Sequence, residues 1–314
     1  MAALTMIWRE KPMDAYATHR PVKSREIHNN HMDSTIWNDF AFRDNDIIIG
    51  TYAKAGTTWM QQIVSQLVFD GAEGVNVAEL SPWVDMRLPP REVKLPALEA
   101  QTHRRFMKTH LPLDAFVFRP EVKHIYIARD GRDVIWSMHH HHRSFVPEFY
   151  DMLNGVPGLV GPRLEPAVED PRQYFLDWLD GNGFPVWCLW ENVRTWWEAR
   201  DLPNVMLVHF NDLKADLEGS VRRLADFLEI APSADKWLEI LEHCSFDYMK
   251  SHADICAPGG GTLFEGGGRT FINKGSNGRW RDGLTAEDSA RYEAKALAEL
   301  GPDCARWLKD GGWV

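Results

Sequence analysis

Cysteine is scarce in this chain of 314 residues, and long apolar runs are missing. The four cysteines are far apart and form no C-x-x-C pair, which argues against a zinc cluster or a disulfide framework. They are Cys188, Cys244, Cys256 and Cys304. No stretch approaches the roughly 20 apolar residues that a membrane-spanning helix needs, and Met1 to Tyr16 contain no apolar core of signal-peptide length. We therefore expect a cytoplasmic protein with reduced thiols and no transmembrane segment.

An excess of positive charge is also missing, because the formal net charge is −10. A general nucleic-acid binder or a binder of anionic membranes needs a broad basic face. We therefore expect no nucleic-acid partner, and any basic site has to be local. The length is ordinary for one large α/β domain, which we predict over residues 1–314.

Four short apolar runs have the character of buried strands, and segments with helical patterning separate them. These runs are Ile47–Gly50, Phe106–Thr109, His124–Ala128 and Val205–His209. The alternation predicts an α/β fold with a central, mostly parallel sheet flanked by helices. Two segments rich in glycine and proline, 154–171 and 258–268, are predicted to be mobile loops, either covering a site or without a role.

The most informative segment is Asp46–Val64, DIIIGTYAKAGTTWMQQIV. A β-branched run leads through a loop of small residues, Ala53–Gly56, into the start of a helix. Small residues let the backbone approach a ligand, and the first helical turn leaves N–H donors unpaired. Lys54 adds a positive charge, and Thr57 and Thr58 add hydroxyl groups. The segment predicts a P-loop-like nucleotide-binding site.

The spacing of this loop differs from the general phosphate-loop motif, in which lysine directly precedes the hydroxyl residue. Here Lys54 precedes Gly56, and Trp59 at the helix start offers an aromatic face to a base. A P-loop kinase-like phosphotransferase therefore remains an alternative, although no clear magnesium-binding carboxylate follows the first helix.

Two further strands end in residues suited to chemistry on anions. Arg129 follows the run that begins at His124, at the carboxyl end where open α/β sheets bind ligands, and Ser137 comes eight residues later. The guanidinium group could bind a phosphate or form a surface ion pair. Lys108 and His110 lie at the end of another strand, and a neutral imidazole there could act as a general base or be purely structural.

These segments resemble the cytosolic sulfotransferases in sequence and in order along the chain. TYAKAGTTW resembles the family's TYPKSGTTW loop, and KTHLP matches K-T-H-L-P. Arg129 and Ser137 have the spacing of the family's 3′-phosphate motif, and Phe271–Arg281 resembles F-x-R-K-G-x-x-G-D-W-K. The segment Ser81–Asp85 and the HRRF before Lys108 are similar to bacterial glycolipid sulfotransferases.

The resemblance implies transfer of a sulfuryl group from 3′-phosphoadenosine 5′-phosphosulfate (PAPS) to a hydroxyl or amine, with release of adenosine 3′,5′-bisphosphate. It implies that His110 is the catalytic base and that Lys54 and Lys108 stabilise the leaving oxygen. It further implies a donor site without a metal ion and a small-molecule or lipid-like acceptor. The donor-binding residues would be Lys54, Ala55, Gly56, Thr57, Thr58, Trp59, Arg129, Ser137, Phe210, Ser245, Phe246, Met249, Asn273, Lys274 and Gly275.

The chain departs from the family pattern at several donor-site positions. Asn273 replaces the expected arginine, for which Arg269 or Arg279 could substitute, and Ala53 and Ala55 replace proline and serine. A non-catalytic nucleotide-binding protein therefore remains a second alternative. The family's dimer motif is only echoed, which leaves the oligomeric state open.

Two aromatic or imidazole-rich segments have structural interpretations. Positions 187, 190, 194 and 197 fall on one helical face, which predicts core packing for three tryptophans, with lipid contact as the alternative. The run His139–His142 invites a metal-site hypothesis, but only the first and last of these residues share a helix face. We therefore favour no metal site and expect one of these histidines to line an acceptor pocket.

Overall fold

The structure, a computed structural model, describes residues 20–158 and 160–314, so the N-terminal segment used for the localisation prediction lies outside it. Four strands form one parallel sheet in the order β2-β1-β3-β4. They are β1 Ile47–Thr51, β2 Phe106–Thr109, β3 Lys123–Ala128 and β4 Val205–His209. The predicted α/β class is confirmed, and each predicted strand boundary is within one residue of the observed one.

Helices cover both faces of the sheet. They are α1 Thr57–Val68, α2 Val77–Leu80, α3 Arg91–Glu99, α4 Gly131–Arg143, α5 Pro147–Asn154, α6 Pro171–Asp180, α7 Leu189–Glu198, α8 Phe210–Ala215, α9 Leu217–Leu228, α10 Trp237–His243, α11 Phe246–Ser251, α12 Ala253–Cys256, α13 Gly268–Phe271 and α14 Ala286–Asp310. The last is interrupted at Gly301, whose φ is 72°. None of the helices in the described part of the chain is both long and apolar enough to cross a membrane.

Alternation along β1 divides the core into two layers. Ile47 and Ile49 pack with Ile63 of α1 and Leu224 of α9, whereas Ile48 faces the layer that contains α4, α6, α7 and α14. Every residue of β1 is buried, as expected of a parallel strand covered on both faces. The uninterrupted apolar run of this strand follows from that double burial.

A buried ion pair fixes the amino-terminal end of the sheet. Arg105 precedes β2 and Asp46 precedes β1, and the Arg105 Nε atom lies 2.8 Å from the Asp46 Oδ1 atom. Both side chains are buried. The pair therefore sets the start of the register in which Ile47 aligns with Phe106.

The predicted core packing of the tryptophans is confirmed, since Trp190 is in the main core and Trp187 and Trp197 pack against it, but the predicted helix face is wrong. Helix α7 begins only at Leu189, so Trp187 lies outside it. The buried face of the helix carries Trp190, Val193 and Trp196 instead. Trp187 lies instead in the segment that leads into α7.

The two segments rich in glycine and proline are connected to the rest of the fold by specific contacts. In the first, the Asn154 side chain makes hydrogen bonds of 2.9 and 2.8 Å to the backbone of Leu164. In the second, a short 3₁₀ turn at Pro258–Gly261 is followed by Phe264, which is buried against Phe145. Both segments thus contribute to one apolar cluster beside the site.

Candidate active site

A cavity of about 1030 Å³ lies at the carboxyl ends of the strands and gathers nearly all of the predicted site residues. The predicted residues in its wall are Lys54, Gly56, Thr57, Thr58, Trp59, Lys108, His110, Arg129, Ser137, Phe210, Phe246, Met249, Asn273, Lys274 and Gly275. Ala55 and Ser245 are placed beside this wall. The Ala55 side chain is buried in the core, and the Ser245 hydroxyl accepts a hydrogen bond from the Tyr248 N–H at the start of α11.

The loop between β1 and α1 has the backbone shape that its small residues predict. Lys54 and Gly56 have φ values of 66° and 112°, in the left-handed region that favours glycine. A Cβ atom at Gly56 would lie 2.8 Å from the Ile127 Cδ1 atom. The loop therefore turns tightly against β3 and brings the first turn of α1 to the cavity wall, where its unpaired N–H groups can bind an anion.

Lys54 projects from this loop into a partly desolvated environment. Its Nζ atom lies 4.1 Å from the centre of the Phe271 ring and 3.5 Å from the His141 Nδ1 atom. Burial, together with the charges of Arg129 and Lys108, lowers the pKa of Lys54 to about 7. A bound phosphate would reverse this effect because it favours the charged ammonium group.

His110 is held as a neutral base by its neighbours. Its Nδ1 atom lies 2.8 Å from the backbone oxygen of Thr51, and since a carbonyl only accepts, Nδ1 carries the proton. The Nε2 atom therefore presents a lone pair. Burial lowers the pKa of His110 to about 3, and the Lys108 charge contributes, so the ring is neutral at pH 7.

Asp85 supports His110, a role that could not be predicted from the sequence. Its buried carboxylate accepts hydrogen bonds from the Trp83 indole at 2.7 Å, the Trp37 indole at 3.2 Å and the His110 backbone N–H at 3.3 Å. The Trp83 ring in turn meets the His110 ring edge-on, with centres 4.5 Å apart. The only indication in the sequence was that Asp85 ends the SPWVD segment, which resembles bacterial glycolipid sulfotransferases.

The Lys108 ammonium group shares the cavity with His110. Burial lowers the pKa of Lys108 to about 8, while the Asp85 carboxylate opposes that shift. Asp85 therefore affects two groups of the site, through a hydrogen bond to His110 and through its charge on Lys108.

Arg129 lies in a second cationic subsite, against the loop that follows β1, where its Nη1 atom lies 3.4 Å from the Lys54 backbone oxygen. Its guanidinium group donates to the Asn277 Oδ1 atom and to the Ser276 backbone oxygen, both at 2.9 Å, and lies 4.4 Å from the Phe210 ring centre. Ser137, two turns into α4, lines the same cavity. Asn277 and Ser276 were not anticipated because they lie in a loop that only the fold brings to Arg129.

The residues expected to compensate for Asn273 differ in position. Asn273 and Arg279 both line the cavity. Arg269 is exposed at the surface, outside the cavity wall. Of the two arginines, Arg279 is therefore placed to supply the missing positive charge.

Aromatic and apolar side chains form the end of the cavity next to α1. The rings of Trp59 and Phe210 meet edge-on at 5.3 Å, and the Trp59 indole donates to the Cys244 backbone oxygen at 2.8 Å. Phe246 and Met249 also line the cavity. These surfaces suit a planar base.

The other end of the cavity is largely apolar. Its wall includes Leu88, Phe145, Phe149, Phe264 and Phe271. Trp187 also lines it, with its ring centre 5.5 Å from that of His110. A hydrophobic acceptor could therefore lie beside the base.

The four histidines of α4 have separate partners. His139 and His140 contact the backbone oxygens of Val168 and Thr270, at 2.8 and 3.2 Å. His141 and His142 line the cavity, as expected for one member of the run. Within residues 20–158 and 160–314, no group of three or more His, Cys, Asp or Glu side chains could hold a metal ion.

Comparisons with known proteins agree with this geometry. A sulfotransferase domain family model matches residues 44–300. The chain is 31% identical to a glycolipid sulfotransferase of Mycobacterium bovis, over 94% of this chain and 97% of that protein.

Solved structures show the same fold. Mouse sulfotransferase SULT7A1 complexed with PAP is 21% identical, with a TM-score of 0.66 over 87% of this chain and 90% of that one. Retinol dehydratase in complex with androsterone and the inactive cofactor PAP is 25% identical, with a TM-score of 0.62 over 85% and 83%. The sulfotransferase prediction is thereby confirmed: the chain belongs to the sulfotransferase domain family and is a sulfotransferase.

Proposed function

We propose that this protein transfers the sulfuryl group of PAPS to a hydroxyl group, or an amine, of a lipid-like or other small acceptor. The product would be adenosine 3′,5′-bisphosphate. The observation that carries this proposal is the placement of His110, with its Nε2 lone pair, in the same cavity as the cations Lys54 and Arg129. The base and the anion-binding cations therefore face the same cavity.

The donor would bind along the sheet edge. The first turn of α1 and the hydroxyls of Thr57 and Thr58 would hold the 5′-phosphate, and Arg129 with Ser137 would hold the 3′-phosphate. The adenine would lie among Trp59, Phe210, Phe246 and Met249. Asn273, Lys274 and Gly275 would close the 3′-phosphate side.

The transfer needs one base and one stabilised leaving group. The Nε2 atom of His110 takes the acceptor proton while the acceptor oxygen bonds to sulfur and the bond from sulfur to the phosphate oxygen breaks. The electron pair of that bond stays on the phosphate oxygen. Lys54 and Lys108 stabilise the resulting charge, and because they are fixed in a partly dry site they need little reorganisation.

The acceptor class follows from the apolar half of the cavity. Phe145, Phe149 and Phe264 can contact a hydrocarbon chain or ring while His110 faces its hydroxyl group. The mycobacterial relative named as a glycolipid sulfotransferase supports a glycolipid acceptor.

All four cysteines are free thiols, which supports the proposed cytoplasmic location.

A transfer assay tests the proposal. The protein would be incubated with PAPS labelled in the sulfuryl group and with long-chain alkyl glycosides, alcohols and phenols, with His110→Gln as the control. We expect labelled sulfate esters with the wild-type protein and at least a roughly 100-fold lower rate with the variant. Magnesium-dependent transfer from ATP would favour the kinase-like alternative, and binding of adenosine 3′,5′-bisphosphate without any transfer would favour the non-catalytic one.

A further inference from the structure

Four imidazole rings line the cavity, and the Nδ1 atom of one of them, His142, lies 2.8 Å from the Tyr174 hydroxyl group. The other three come from separate segments. His31 precedes the first strand, His110 follows β2 and His141 belongs to α4. The rings of His31 and His110 both pack against Trp187, with centres 5.8 and 5.5 Å from its ring centre. Only His110 has a role in the transfer described above.

The hydrogen bonds of Asn30 fix the tautomer of His31. The Asn30 Nδ2 atom donates to the Pro162 backbone oxygen at 3.2 Å, which orients the amide. Its Oδ1 atom lies 2.7 Å from the His31 Nδ1 atom, so Nδ1 is the protonated donor. The His31 Nε2 atom therefore carries a lone pair, as the corresponding atom of His110 does.

Lys54 fixes the opposite tautomer for His141. When a donor phosphate is bound, Lys54 is an ammonium group and only donates, so the His141 Nδ1 atom, 3.5 Å from the Lys54 Nζ atom, presents its lone pair there. The proton then resides on Nε2. The ring is held by edge and tilted contacts to Phe145 and Phe264, with centres 4.6 and 5.2 Å away.

All three rings are neutral at physiological pH. Burial lowers the pKa of His31 to about 4 and that of His110 to about 3. Burial also lowers the pKa of His141 well below its usual value, and the Lys54 charge adds to this effect. Of these three rings, those of His31 and His110 therefore offer hydrogen-bond acceptors, and that of His141 offers a donor.

We propose that His31 and His141 are specificity-determining residues that bind further hydroxyl groups of an acceptor whose reacting hydroxyl group faces His110. This inference rests on the proposed function, since it assigns the reacting hydroxyl to His110. A hydroxyl group can donate or accept, so one can donate to the Nε2 lone pair of His31 and another can accept from the Nε2–H of His141. The acceptor class is then a polyol, such as a sugar head group.

The surroundings of the three rings require the rest of that acceptor to be apolar. Leu88, Phe149 and Phe264 line the same half of the cavity. Val93 and Met152 also line the cavity and are 59% and 46% exposed, so its apolar wall continues to the surface and an alkyl chain can leave it. An alkyl glycoside has both features.

Equilibrium binding tests the assignment without requiring turnover. The protein loaded with adenosine 3′,5′-bisphosphate would be titrated with octyl β-glucoside and with 1-octanol, and the ratio of the two affinities would be recorded. We expect the wild-type protein to bind the glucoside at least about tenfold more tightly than 1-octanol, because one additional hydrogen bond contributes about a factor of ten to affinity. His31→Phe and His141→Phe, which keep a ring of similar shape, should each lower this ratio by about tenfold.

Matched glutamine variants separate the loss of a hydrogen bond from a change in packing. The Gln side chain can place an amide group near the lost Nε2 atom, so His31→Gln and His141→Gln should retain most of the preference. Absence of a preference in the wild-type protein would overturn the proposal, and an unchanged ratio in either Phe variant would overturn the assignment of that histidine. Equal weakening of both ligands would indicate a purely structural role.

The outcome is separable from that of the proposed function. Loss of sulfuryl transfer with a retained glucoside preference would contradict the reaction alone. Transfer to simple alcohols with no glucoside preference would contradict the roles of His31 and His141 alone.

Discussion

The Nδ1 atom of His110 lies 2.8 Å from the backbone oxygen of Thr51. Thr51 is the last residue of β1, and the phosphate-binding loop follows directly. Strands β1 and β2 pair with Gly50 beside Thr109. The same two strands therefore fix the positions of the base His110 and of the phosphate-binding loop. A backbone carbonyl cannot titrate, so this contact orients the imidazole at every pH at which the fold persists.

Replacement of His110 should separate catalysis from donor binding. We expect His110→Gln to lower kcat by at least about 100-fold because the proton acceptor at Nε2 is lost. The affinity for adenosine 3′,5′-bisphosphate should change less than about threefold, since His110 contacts the acceptor side. Turnover close to that of the wild-type protein would contradict the role of His110 as base.

Donor binding should weaken as the pH rises above 7. Lys54 is half-buried, and its pKa of about 7 in the free protein is raised when a phosphate binds. Binding then takes up a proton above pH 7, and the affinity for adenosine 3′,5′-bisphosphate falls by up to about tenfold per pH unit. Calorimetry in buffers of different ionisation enthalpy measures this proton uptake.

Lys54→Met is the matched control for that pH dependence. It removes the titrating group, so proton uptake should decrease by the Lys54 contribution while that of Lys108, whose pKa is about 8, remains. The same proton uptake in the variant and the wild-type protein would show that Lys54 is not the group responsible.

Asp85 is expected to act as a positioning residue. Asp85→Asn removes the charge that raises the pKa of Lys108. If protonated Lys108 stabilises the leaving oxygen, the loss of kcat at high pH should begin at lower pH in this variant. We also expect kcat to fall by about tenfold, because one buried hydrogen bond to His110 or Trp83 is weakened. A lower kcat with an unshifted pH profile would indicate a structural role only.

The buried pair of Arg105 and Asp46 should contribute strongly to stability. Asp46→Asn leaves a buried guanidinium group without its counter-ion, so the free energy of unfolding should fall by about 3–5 kcal/mol. Urea denaturation measures the change. Glu239→Gln, which breaks the exposed pair with Lys236, is the control and should have a far smaller effect. Similar effects of the two substitutions would contradict the importance of the buried pair.

The strands and the phosphate loop could be predicted from sequence because their causes are local. Uninterrupted β-branched runs such as Ile47–Ile49 mark strands buried on both faces, and Gly56 marks the turn that its φ of 112° requires. The resemblance to a known family then supplied roles for residues within contiguous motifs, including His110 and Arg129.

The remaining parts of the site depend on long-range packing. The contact between Lys54 and His141 joins residues 87 positions apart, and that between Arg129 and Asn277 joins residues 148 apart. No periodicity encodes such pairs. Trp187 was misplaced because a helical pattern was extended backwards across the true start of α7 at Leu189.

The central claim is that the cavity binds a donor nucleotide through its 3′-phosphate. Calorimetric titration with adenosine 3′,5′-bisphosphate, AMP and ATP, with and without magnesium, tests it most directly, with Arg129→Gln as the comparison. We expect magnesium-independent binding of the bisphosphate at least about tenfold tighter than AMP, and loss of most of that difference in the variant. Equal affinity for the bisphosphate and AMP, or preference for magnesium–ATP, would contradict the claim.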